Sequence, residues 1–111
     1  MSVSKLLSAF VLLIVAKNCA APAAAECYEG IGCTHNERLK EANLRPLNCE
    51  NLWFIRNAIY AENGYCFRTE LAISAFGNDN CRFANIGDVP LNKYEHYNVA
   101  LIQKVERRKS C

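Results

Sequence analysis

The sequence predicts a small all-α domain of four helices stapled by about three disulfides, on three observations. Apolar residues recur at helical spacing behind four separate capping signatures, and no segment shows convincing strand alternation. Six of the seven cysteines fall in the 86 residues after an export-type leader. A domain of that size buries only a marginal core, which cross-links commonly supplement.

The leader is 1–25. Lys5 supplies a short basic start, Leu6 to Ala16 an apolar run, and Ala23-Ala24-Ala25 a small-residue stretch before Glu26, the three parts of a secretory signal peptide. The apolar run is 11 residues, against roughly 20 needed to cross a bilayer. Cleavage after Ala25 is expected, leaving 26–111 as one secreted or periplasmic domain. Lys17 and Asn18 are the least typical feature of the leader, and the residues before Cys19 do not make a lipid-attachment box. Of 13 basic residues Lys5 and Lys17 lie in the leader, so 11 bases face 11 acids in the domain. An interspersed, neutral balance gives no electrostatic case for nucleic acid.

From Glu26 to Gly32 no periodicity is present, and a short irregular loop is expected. Thr34-His35-Asn36-Glu37 reads as a capping box opening a short helix from about His35 to Asn43, stopped ahead of Pro46. Asn48 caps a second helix carrying Cys49, Leu52, Ile55, Arg56, Ile59 and Tyr60 through Glu62, ended by Asn63-Gly64. Thr69 precedes a third helix over Glu70 to Phe76, stopped at Gly77. Gly77 to Pro90, rich in Asn, Asp and Gly, is expected to be a surface loop pinned at Cys81. Asn92 and Glu95 repeat the cap signature before a last helix with the stripe Tyr94, Asn98, Leu101, Ile102 and Val105. Its basic end, Lys104, Arg107, Arg108 and Lys109, suits the negative pole of the helix dipole.

Cys27, Cys33, Cys49, Cys66, Cys81 and Cys111 are separated by 5, 15, 16, 14 and 29 residues. Zinc ligands usually come as close pairs, so these spacings favour disulfides over a metal site. Six cysteines allow 15 pairings. Cys66 and Cys81 flank the third helix, and Cys49 and Cys111 share an end if the two long helices pack antiparallel, which leaves Cys27 with Cys33. Spacing alone does not deduce that pattern.

The segment Leu52-Trp53, Arg56-Asn57, Ile59-Tyr60-Ala61, Gly64-Tyr65, Phe67 resembles the core of the YARHG domain, named for a Tyr-Ala-Arg-His-Gly string after an Arg-Asn pair. Leu71, Phe76, Leu91, Glu95, Asn98, Leu101-Ile102 and Glu106 are similar to the rest of its pattern, over roughly Leu39 to Arg107. The naming string is here Tyr60-Ala61-Glu62-Asn63-Gly64, so any role of the family's Arg and His does not carry over. Cys81 stands where a Trp would be looked for, suggesting a bridged subclass. The resemblance implies a helical, extracytoplasmic bacterial module and no established molecular function.

Arg56 and Asn57 are the sharpest polar pair, able to grip a carboxylate or a sugar. Equally, Arg56 can pair with Glu95 or Glu106 and Asn57 can satisfy loop backbone, and that structural account is favoured. The binding candidates are Arg56, Asn57, Tyr60, Asn63, Gly64 and Tyr65, forming a helix end beside the Cys66 to Pro90 loop. His35 and His96 are expected to be exposed in capping turns, without the partner a general base needs. No Ser lies in a nucleophile elbow, bridged cysteines are not nucleophiles, and chance carboxylate pairs are a weak signal. Trp53, Phe54, Tyr60, Tyr65, Phe67 and Phe76 are expected mostly in the core. Tyr28, Phe83 and Tyr97, if exposed, would line a binding surface, and the basic helix end could touch anionic polymers. The expected function is a non-enzymatic, cofactor-free binding module at the bacterial cell envelope, its partner an envelope protein or cell-wall component. A secreted effector or inhibitor of a host or competitor protein is the alternative, and a wall hydrolase is less favoured than either.

Overall fold

The computed structural model describes residues 27–111. The leader and its cleavage site lie outside the described residues. The order is β1 (Cys27–Tyr28), β2 (Gly32–Cys33), α1 (Glu41–Leu44), α2 (Cys49–Glu62), α3 (Glu70–Phe76), a 3-10 turn (Ile86–Asp88) and α4 (Lys93–Arg108). Three caps formed as their chemistry requires. The side chains of Asn48, Thr69 and Asn92 accept from the backbone N–H of Asn51, Ala72 and Glu95, and Glu95 returns the bond to Asn92 to complete a capping box.

α2 and α4 run antiparallel and form the main layer. Leu52, Ile55 and Ile59 from α2 meet Val99, Leu101, Ile102 and Val105 from α4, with Leu39 and Leu44 closing the core from the α1 side. α3 crosses the other face of α2 through aromatic rings. Phe76 sits 5.0 Å from Phe54 and 5.2 Å from Phe67, and Phe67 leads on to Tyr65 at 4.9 Å. The α3–α4 connection is tied down where its sequence lacks pattern: Asn78 accepts from Phe67 N and donates to Phe67 O, both at 2.9 Å. Gly64 O accepts from the N–H of Arg82 and Phe83, and Val89 is buried.

Two expectations are corrected. Cys27 to Cys33 is a tight antiparallel hairpin pairing Cys27 with Cys33 and Tyr28 with Gly32, not an irregular loop. The helix expected from His35 to Asn43 is cut to its last turn. Thr34 to Glu37 is turn, and only Glu41–Leu44 is helical. The carboxylate of Glu37 does reach back to a backbone donor, but to that of Cys33 at 2.9 Å. The backbone groups that a helix would have satisfied internally go to one side chain. Asn98, fully buried in α4, accepts from Leu39 N and donates to Thr34 O and Glu37 O, each at 2.9 Å.

The disulfides join Cys27 to Cys33, Cys49 to Cys111 and Cys66 to Cys81. The first closes the hairpin, the second ties the start of α2 to the chain just past α4, and the third brackets α3. The two long-loop bridges each contribute about 2–4 kcal/mol by restricting the unfolded chain. Complete reduction should therefore lower the melting temperature sharply and loosen the helices. Unchanged circular dichroism and melting after reduction would refute the stapling role. Replacing Asn98 by Ala strands three backbone groups in the interior, and urea unfolding should show a loss of about 3 kcal/mol. A loss below about 1 kcal/mol would mean that water or local rearrangement replaces the amide.

Candidate functional site

The expected binding residues separate into two structural joints and two cavities at opposite ends of α2. Midway along α2, Arg56 grips Glu106 of α4 with both ends of its guanidinium, Nε to Oε1 at 2.7 Å and Nη2 to Oε2 at 3.1 Å. Their side chains are 21% and 13% exposed, so this is a half-buried, bidentate pair joining the two long helices. Asn57 is buried and donates to Trp53 O in its own helix, not to loop backbone.

At the far end, Tyr60 to Tyr65 closes α2. Gly64 adopts φ +92°, its N–H donates to Ala61 O, and the next N–H, of Tyr65, reaches back to Tyr60 O. This double closure needs a left-handed residue where Gly64 stands. A Cβ there would also lie 3.2 Å from Arg82 Nε. The Tyr60 and Tyr65 rings meet edge-on at 6.1 Å, the apolar contact that accompanies such a closure. Asn63 donates to Ile59 O and to the buried Glu95 carboxylate at 2.8 Å, fastening this end of α2 to the capping box of α4. Burial raises the Tyr60 phenol above its usual range, partly countered by the Arg56 charge.

Arg56 and Glu106 also form one wall of an open groove of about 670 Å³ bordered by Cys49, Trp53, Phe54, Leu71 and Cys111. Its surface is mainly apolar. Phe54 is 42% and Leu71 68% exposed, so Phe54 is not the core residue the sequence reading expected. The signal for it was weak: Phe54 lies off the Leu52, Ile55, Ile59 stripe, and nothing in the spacing of α3 shows that Ala72 faces inward while Leu71 faces out. Gly64 and Tyr65 belong instead to a polar cavity of about 740 Å³ with Glu62, Asp79, Asn80 and Arg82, the expected helix end and loop.

His96 is exposed and His35 half-buried. Tyr97 is exposed, with the Arg38 guanidinium 4.7 Å above its ring; Tyr28 and Phe83 are half-buried. Near the end of α4, Arg45, Lys104 and Arg108 all reach Glu41. Partial burial opposes ionisation of Glu41, but those three cations outweigh it and hold its carboxyl below the usual range. Among the described residues no group of three or more His, Cys, Asp or Glu side chains could hold a metal. No helix among them is long and apolar enough to cross a membrane.

This chain belongs to the YARHG domain family, whose family model matches residues 29–107. The match opens in the hairpin turn, ten residues ahead of Leu39, and runs through the helices to the penultimate residue of α4. It is an extracytoplasmic family whose function is unclear. No curated protein and no solved structure matches the chain.

Arg56→Met alone would leave Glu106 half-buried and unpaired, and should lower the unfolding free energy by about 2 kcal/mol; Arg56→Met with Glu106→Leu should recover most of it. Additive losses would show that the two side chains do not act as a pair. The depressed carboxyl of Glu41 predicts stability that is present above about pH 4.5 and lost as pH falls through its lower folded value. The stability gap between the native protein and Glu41→Gln should accordingly be seen at pH 7 and vanish in strong acid. A gap independent of pH would exclude the ion cluster as its source.

Proposed function

We propose that this domain is a non-enzymatic binding module that works outside the cytoplasm, at the bacterial envelope, and seats an envelope protein or cell-wall component in the apolar groove between α2 and α3. The observation that carries this reading is the exposure of Phe54 and Leu71 on one groove. Large apolar side chains left in water on a rimmed surface mark interaction sites, and a chain with so small a core has few such residues to spare. Family membership supports the compartment. The polar candidates fit the reading as scaffold, because Arg56, Asn57 and Asn63 are held by intramolecular partners, leaving recognition to aromatic and aliphatic surface.

The test places a photo-crosslinker in the groove, Leu71→p-benzoylphenylalanine, and another on the exposed side of α4, Ala100→p-benzoylphenylalanine, in cells that export the protein. A discrete adduct is expected from the groove position only, and Phe54→Ser should weaken it. No groove-specific adduct from the folded, exported protein would overturn the proposal. An adduct with an envelope protein or wall glycan fits it, and one with a host or competitor protein would replace it with the effector or inhibitor reading.

A further inference from the structure

We propose that the Cys49–Cys111 bridge is a thiol–disulfide exchange site, opened by a dithiol reductant while the fold stays intact. The three bridges differ in accessibility. Cys66 and Cys81 are half-buried, and Cys27 is exposed but bonded to a half-buried Cys33, whereas Cys49 and Cys111 are exposed at both ends of their bridge. Exchange requires a thiolate to reach a sulfur. Both residues border the open groove of about 670 Å³, which gives an attacking thiolate room to approach.

Position also sets the direction of attack. Cys49 is the first residue of the 14-residue α2, where backbone N–H groups and the helix dipole favour a thiolate and so a good leaving group. The reductant's thiolate attacks Cys111 Sγ, the Cys111–Cys49 bond breaks, and Cys49 leaves as thiolate. The second thiol of the reductant then attacks its own sulfur in the mixed disulfide and releases Cys111. The reductant ends as a disulfide, having lost two electrons and two protons, and both cysteines end as thiols.

The chain beyond α4 is held in a conformation that release would relax. Ser110 N donates to Arg107 O and Cys111 N to Glu106 O, the same double closure as at Gly64, but the left-handed position is taken by Ser110 at φ +59°. A residue with a Cβ is disfavoured there. Cys111, Arg56 and Glu106 are the three residues common to the groove and a neighbouring cavity of about 450 Å³. Freeing Cys111 removes one of the residues between them, so reduction would reshape the groove. The folded state has its own support at this end, because the Arg56–Glu106 pair and the packing of Ile55 against α4 do not pass through the bridge.

The test is limited reduction of the native protein with dithiothreitol, quenching with N-ethylmaleimide and peptide mapping, with helical circular dichroism followed in parallel. Cys49 and Cys111 should be labelled at least about tenfold faster than the other four cysteines, before helical signal is lost. Labelling of all six together, or only after unfolding, would overturn the proposal. Glutathione, a monothiol, should be trapped on Cys111; trapping on Cys49 would overturn the direction of attack. Ser110→Gly should shift the equilibrium with dithiothreitol about fivefold toward the bridged form, and no shift would remove Ser110 as a source of lability. These readouts concern thiols alone, so they stand or fall independently of what the groove binds.

Discussion

Everything in this domain depends on α2 and α4 being held antiparallel in one register. The apolar faces of two helices can slide and rotate with modest loss, because burial is not directional. Directional joints at both ends remove that freedom. At one end the Cys49–Cys111 bridge joins the start of α2 to the chain just past α4, and the Arg56–Glu106 fork fastens the middle of α2 to the last turns of α4. At the other, Asn63 bonds the Glu95 carboxylate that also caps α4. Charge and amide groups are worth placing inside so small a core because each satisfies its partner and also specifies the pairing.

The motif that names the family has a physical meaning in this chain. Tyr60, Ala61 and Gly64 are the residues a left-handed helix closure needs: two carbonyls turned outward to accept, a glycine at positive φ, and an aromatic ring ready to meet the next residue, Tyr65. The two positions where the family's Arg and His are replaced fall inside this closure, at Glu62 and Asn63. Asn63 uses its amide to fasten the closure to α4. The Cys66–Cys81 bridge then holds the following segment, and Asn78 imitates a strand neighbour for Phe67.

With its polar signature residues engaged in holding the scaffold, the domain leaves large apolar side chains in water at the groove of Phe54 and Leu71. Its walls are elements that the bridges and the Arg56–Glu106 pair fix in place. A groove built on a clamped helix pair keeps its shape without requiring a larger core.

Local signals in the sequence determined most of the helical frame. Asn48, Thr69 and Asn92 cap their helices because a side-chain oxygen three residues ahead of an N–H is a local geometry. The Gly64 and Gly77 stops follow from backbone sterics at single residues. The Cys49–Cys111 pairing was accessible only through an assumption of antiparallel packing, and the choice of Glu106 over Glu95 for Arg56 rests on which turn of α4 faces the middle of α2. Thr34 to Glu37 shows where local reading fails: the spacing matches a capping box, but no helix starts there, and the buried amide of Asn98, about sixty residues away, takes the carbonyls and the N–H that a helix would have used. Phe54, expected with the core aromatics, is exposed for the same reason. Whether an apolar side chain is buried depends on what packs over it, and that is a property of the assembled chain, not of the segment that carries it.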